Sequence, residues 1–210
     1  MEEEKNKGKK KDLKVILLGD SGVGKSSIIL RYYKNQFEQN GLSTFGAAYV
    51  TREIVKDDIT YRLNIWDTSG QEKYRAVTKL FVQGANIVIL VYSIDRKDSF
   101  DILDFWYQEI LKIAEGENNF ILGIAGNKSD LIASSDKETI PEEEGEKYAK
   151  EKNAYFKLLS AKEDYKGIEN FFNTLLDKCI ENNIGTEVED SFQIKKKNTK
   201  KGKKNNKGCC

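Results

Sequence analysis

The segment Gly19-Asp20-Ser21-Gly22-Val23-Gly24-Lys25-Ser26 constrains this chain more than any other. It fits G-x-x-x-x-G-K-[ST], and its setting is the right one. Residues 13–18 form a short continuous apolar run, as in a strand buried on both faces, and residues 26–33 carry a helical pattern. Glycines let successive backbone N–H groups turn around phosphate oxygens, and the helix that follows adds its positive end. Lys25 places a point charge on the outer phosphates, and the Ser26 hydroxyl can ligate Mg²⁺. The expected phosphate-binding set is therefore Ser21, Gly22, Val23, Gly24, Lys25, Ser26 and Ser27. By itself this loop signals a nucleoside triphosphate and does not separate a kinase, an ATPase and a GTPase.

Strand and helix patterns alternate from Leu13 to about Asn182. Residues 49–55 and 61–66 read as two strands joined by an Asp57-Asp58 turn, hence a hairpin. Residues 86–92 and 120–125 read as buried strands and 155–158 as a short one; 100–114, 142–151 and 168–180 read as helices. Such alternation implies an α/β fold, an open and mostly parallel sheet with helices on both faces. Ligands of such sheets bind at the carboxyl ends of the strands, where the motifs fall.

Two further motifs narrow the ligand. Asn127-Lys128-Ser129-Asp130 closes the strand at 120–125. A carboxylate at Asp130 can accept hydrogen bonds from the N–H and the amino group on the edge of guanine, whereas adenine would leave it unpaired. The aliphatic stem of Lys128 can lie on the face of the base. Ser160-Ala161-Lys162 follows the last short strand, and its backbone N–H groups are placed to meet the guanine oxygen. Trp66-Asp67-Thr68-Ser69-Gly70-Gln71-Glu72 ends the strand at 61–66. There Asp67 can hold Mg²⁺ directly or through water, Gly70 can offer its N–H to a terminal phosphate, and Gln71 can orient an attacking water.

The net charge of +1 hides an asymmetry: residues 191–210 hold eight lysines and no acid, so the body is acidic. Nucleic-acid-binding domains carry their positive charge on the folded surface, so no nucleic-acid partner is expected. A basic tail suits an anionic membrane. The three cysteines, Cys179, Cys209 and Cys210, form neither a disulfide framework nor a zinc site. The start of the chain is neither a signal peptide nor a myristoylation site, and no apolar run approaches a membrane span, so the body is expected in the cytosol. Residues 1–11 read as a mobile arm, 12–182 as the folded domain and 183–210 as a disordered tail.

As a set, GDSGVGKSS, WDTSGQE, NKSD and SAK resemble the Ras superfamily, and Rab GTPases most closely, over residues 12–182 and the two terminal cysteines. The resemblance implies a P-loop NTPase fold with a six-stranded sheet, one strand antiparallel, and two switch regions. It implies that Thr44 ligates Mg²⁺ and touches the terminal phosphate, and that Phe37 packs against guanine. It implies an effector-facing aromatic triad of Tyr49, Trp66 and Phe81, and two geranylgeranyl groups on Cys209 and Cys210. One lipid chain anchors marginally and two anchor stably. Exchange factors, a GTPase-activating protein, an escort protein and a dissociation inhibitor are the implied partners of a monomer. The segment STFGAAY resembles the first switch of Rab proteins of the early endosome. Three positions depart from the family pattern: Ser69 replaces alanine, Phe81 replaces tyrosine, and Ser21 stands where Ras proteins have glycine, as is ordinary in Rab proteins.

The sequence thus predicts a GTP/GDP switch using Mg²⁺, with Lys25, Thr44 and Gln71 as its catalytic residues, on the cytoplasmic face of an intracellular membrane. No arginine within these motifs serves the reacting phosphate, so slow turnover is expected, on the order of 10⁻⁴ per second, until an activating protein binds. The rival reading is a GTP-holding scaffold in which Ser69 has stopped hydrolysis. A third, a P-loop phosphotransferase, is disfavoured by the guanine-selecting Asp130 and by the lack of an arginine-rich lid segment.

Overall fold

A computed structural model describes residues 9–38, 47–68, 81–114, 120–134 and 138–188. Strand β1 (Lys9–Leu18) leads into helix α1 (Lys25–Lys34), followed by β2 (Ala47–Lys56), β3 (Ile59–Thr68) and β4 (Ile87–Ser93). Helices α2 (Lys97–Asp101) and α3 (Leu103–Ile113) precede β5 (Ile121–Asn127), and α4 (Glu142–Glu151) precedes β6 (Tyr155–Leu158). Helix α5 (Tyr165–Glu181) and a short β7 (Thr186–Val188) follow. The strands lie in the order β2-β3-β1-β4-β5-β6, with β2 antiparallel to β3 and the remaining neighbours in that order parallel. This is the expected six-stranded α/β sheet. The short β7 adds a seventh strand.

The strands sort their side chains by alternation. On β1, Leu13, Val15 and Leu17 enter one core, and Ile16 and Leu18 enter the other. On β4, Ile87, Ile89 and Val91 go one way and Val88, Leu90 and Tyr92 the other. Helices α1 and α5 cover the first face, where Tyr32 and Phe172 stack at 4.0 Å. Helices α3 and α4 cover the second, through Leu103, Trp106, Ile110 and Ala149. A chain apolar on both sides of its strands folds stably only with both faces covered.

The hairpin forms as the sequence predicts. Asp57 and Asp58 have φ of 49° and 60°, and Lys56 faces Ile59 across the turn. Positive φ at both central residues gives the turn whose twist matches the flanking strands.

Three differences from the sequence reading change the organisation of the fold. Strand β1 begins at Lys9, inside the segment expected to be a mobile arm, because Lys9–Asp12 pair with Ile59–Arg62. Strand β4 joins β1 only from Val15 onward, and β7 pairs with Lys10–Asp12. Order therefore runs past Asn182, through backbone hydrogen bonds that leave no hydrophobic pattern. The helix expected over residues 100–114 is two helices that meet at Ile102.

The order of strands places the site. The chain leaves β1 toward β2 and β3 on one side, then crosses to β4, β5 and β6 on the other. The phosphate loop follows β1 at this reversal, where an open parallel sheet leaves a crevice.

Candidate functional site

The phosphate loop is shaped by two close approaches. Gly19 has φ of 145°, and a Cβ there would lie 2.1 Å from the Val91 carbonyl oxygen. Gly24 has φ of 97°, and a Cβ there would lie 2.2 Å from the Asn127 amide nitrogen. Neither position accommodates a side chain in a left-handed conformation. Gly24 is also the N-cap of α1, whose first turn contains no acid, so the positive end of the helix remains for an anion.

Lys25 is 5% exposed. Its Nζ donates to the carbonyl oxygens of Gly19 at 2.9 Å and Asp20 at 2.8 Å, so it holds the loop around itself. Burial pushes its pKa down to about 8, with Asp67 and Asp20 acting in the opposite direction. Asp67 lies buried at the end of β3, and the Thr68 hydroxyl beside it donates to the Leu17 carbonyl at 2.5 Å. The ends of β1 and β3 are thereby tied together next to the loop.

Asn127 links the other two motifs. It is 1% exposed, and its amide donates to the Val23 carbonyl at 2.8 Å. Its Oδ1 accepts from the Ala161 N–H at 3.1 Å. That N–H, expected to face a guanine oxygen, is engaged by Asn127 here. The Asp130 carboxylate accepts from the Ser160 hydroxyl at 2.6 Å, and the Lys162 ammonium stands 4.0 Å from it. The Ser160 hydroxyl in turn accepts from the Glu163 N–H at 3.0 Å. Lys128 takes a left-handed φ of 67°, and its ammonium lies 3.5 Å from Asp95. The three segments Gly19–Ser27, Asn127–Asp130 and Ser160–Lys162, separate in sequence, thus form one connected edge.

Three contributing residues belong to none of the sequence motifs. Arg31 on α1 donates to the carbonyls of Ala161 at 2.7 Å and Lys162 at 2.5 Å. Asp95 accepts from Ser93 and pairs with Lys128. Arg96 reaches the loop itself, donating to the Ser21 carbonyl at 2.6 Å and pairing with Asp20. In sequence, each is one charged residue among many, and the partner that brings it to the site lies far along the chain.

Phe37 is half-buried against the core on the α1–α5 face. The aromatic triad is contiguous: Tyr49 and Trp66 have ring centroids 4.9 Å apart, and Trp66 and Phe81 5.6 Å apart. Tyr49 is 52% exposed, so the group opens to solvent at its β2 end. Thr44, Gly70, Gln71, Cys209 and Cys210 lie outside the described residues, as does Ser69.

The donors present suit a hard divalent cation. A serine hydroxyl at position 26 and a carboxylate at position 67 are oxygen ligands of the Mg²⁺ type. Among the described residues no group of three His, Cys, Asp or Glu forms a metal site on its own.

A profile described as the Ras family matches residues 14–181. The Ras-related protein RABA4a of Arabidopsis thaliana is 39% identical over 167 residues, 80% of this chain and 71% of the relative. Rab5A of Oryza sativa subsp. japonica is 40% identical over 158 residues, 75% of each chain. Rab11A of Lotus japonicus is 39% identical over 163 residues, 78% of this chain and 70% of the relative.

The lowered pKa of Lys25 carries a testable consequence. Phosphate favours the ammonium, so binding raises this pKa from about 8. At pH 8 about half the free molecules must then take up a proton on binding GDP, and affinity falls as pH rises further. Calorimetric titration in buffers of different ionisation enthalpy measures that uptake. Zero net uptake at pH 8 would show that Lys25 is already charged in the free protein.

Proposed function

This chain belongs to the Rab-type small GTPases of the Ras family, guanine-nucleotide switches of vesicle trafficking, and on that premise we propose how its own residues perform the switch. The observation that carries the proposal is the connected edge, in which Asn127 joins the phosphate loop to the loop after β6. Asp130, oriented by Ser160, reads the guanine edge, with the Lys128 stem along the base and Phe37 against it. Lys25 and the N–H groups of the loop hold the phosphates. Ser26, Thr44 and Asp67 would hold Mg²⁺, which would neutralise charge on the phosphate oxygens. Gln71 aligns the attacking water, and Gly70 and Thr44 sense the terminal phosphate. When that phosphate leaves, both lose their partner and the two switch loops relax. Effectors read that difference through Tyr49, Trp66 and Phe81.

Intrinsic hydrolysis is slow, on the order of 10⁻⁴ per second, and an activating protein accelerates it. Ser69 supplies a hydroxyl where the family has alanine, next to Gly70 and Gln71 in sequence, and on this reading it alters the intrinsic rate. Among the described residues no helix is long and apolar enough to cross a membrane. Attachment is assigned to lipids on Cys209 and Cys210, with the eight tail lysines each adding up to ~1 kcal/mol near an anionic leaflet. The endocytic assignment rests on STFGAAY.

Single-turnover conversion of bound GTP to GDP, with Mg²⁺ and with ATP loading run in parallel, tests the switch. GTP converts slowly, ATP fails to load, and Ser69→Ala changes the rate. GTP held without conversion would favour the scaffold reading, and loading of ATP would remove the guanine assignment. For the anchor, lipid-modified protein is expected to sediment with phosphatidylserine vesicles and the doubly substituted Cys209→Ser, Cys210→Ser protein to stay in solution. Equal sedimentation of the two would rule out the cysteines as the anchor.

A further inference from the structure

Arg96 stands on the loop between β4 and α2, outside the nucleotide motifs. Its side chain is one third exposed, yet its guanidinium spans two elements. One nitrogen donates to the Ser21 carbonyl at 2.6 Å. Another pairs with the Asp20 carboxylate and with Asp98 at 2.8 Å. The other oxygen of Asp20 accepts from the Ser21 N–H at 2.7 Å. The Ser21 peptide groups are therefore held at both ends, by Asp20 and by Arg96.

The base from which Arg96 reaches is itself fixed. The Ser93 N–H donates to the buried Ser99 hydroxyl at 3.0 Å, and that hydroxyl donates to the Arg96 carbonyl at 2.7 Å. The Arg96 N–H returns to the Ser93 carbonyl at 3.0 Å. The Ile94 N–H donates to the Asn127 carbonyl at 3.1 Å, so the same loop rests on the base-reading strand end. Such a closed turn gives a planar guanidinium a defined place to stand.

The direction of the Ser21 carbonyl decides the direction of the next N–H. In a trans peptide the two point opposite ways, and this chain has no cis bonds in its described residues. Lys25 collects the carbonyls of Gly19 and Asp20, whereas the Ser21 carbonyl goes to Arg96. Gly22, with φ of 75°, follows at once. A cation on the carbonyl oxygen also polarises the peptide and strengthens its N–H as a donor.

We propose that Arg96 is a positioning residue of the phosphate loop: by drawing the Ser21 carbonyl toward the β4–α2 loop, it turns the Gly22 N–H toward the outer phosphates of the nucleotide. The inference rests on the guanine-nucleotide reading above. The effect falls on the outer phosphates, because Lys25, which the motif assigns to them, holds the carbonyls of Gly19 and Asp20 immediately before Ser21.

The test compares GDP release and the affinities for GDP and GMP in the full chain and in R96Q, R96K and D20N. R96Q releases GDP roughly tenfold faster, as befits loss of a charge-assisted hydrogen bond, and leaves GMP affinity unchanged. R96K recovers part of the effect, since an ammonium cannot hold the carbonyl and the carboxylate as a fork does. D20N, which keeps the bond to Ser21, falls between the unmodified chain and R96Q. The Gly22 amide proton of the GDP complex moves upfield in R96Q, a shift that general loosening of the fold would not confine to one residue. GDP release by R96Q within twofold of the unmodified rate overturns the proposal. So does equal weakening of GDP and GMP, which would mark Arg96 as merely structural. An unmodified chain that binds no GDP overturns the nucleotide reading, and this inference with it.

Discussion

The buried side chain of Asn127 is the tie on which the rest of the site depends. One small amide satisfies a carbonyl of the phosphate loop and an N–H of the loop after β6. Each of those backbone groups is buried, and each would cost about 1–3 kcal/mol if left without a partner. The amide lies so close to Gly24 that no side chain fits between them. The glycine, the asparagine and the left-handed turn at Lys128 are therefore one constraint seen from three positions. Remove it, and the loop after β1 is no longer held in register with the loops after β5 and β6.

The sheet supplies the stiffness behind that tie. Strands β4 and β5 are buried along their whole length, and both faces are covered by helices. Chemistry is confined to the strand ends, where the backbone leaves the ladder and its N–H groups become available. Burial there has an electrical consequence. Lys25, enclosed by its own loop, is easier to discharge than a surface lysine, and the anion it awaits restores its charge. Anion binding there is expected to be coupled to protonation of Lys25.

Much of this was legible in the sequence, and the reason differs by element. Helix α4 and strand β6 have the bounds their patterns predict. The hairpin was marked by its two aspartates. Helix α5 starts at Tyr165, three residues before its apolar pattern, because the Asp164 side chain caps it by accepting from the Gly167 N–H at 2.8 Å. Strand ends at Lys9–Lys11 and Thr186–Val188 were missed, since backbone pairing leaves no mark on lysines and glutamates. In the site, the described motif residues lie at the carboxyl ends of β1, β3, β5 and β6 or at the start of α1. Arg31, Asp95 and Arg96 carry no sequence signal of their role, because a charged side chain in a helical or loop pattern reads as solvated. Only the fold shows that Arg31 meets residues 130 positions away.

The most direct measurement of this account is GDP release from Asn127→Ala, set beside its resistance to urea without nucleotide. Loss of the tie should speed release by about ten- to a hundredfold and also lower the urea midpoint, because stranding one or two buried polar groups costs the fold about 1–3 kcal/mol each. Release at the unmodified rate would contradict the account, because the two halves of the site would then hold together without Asn127.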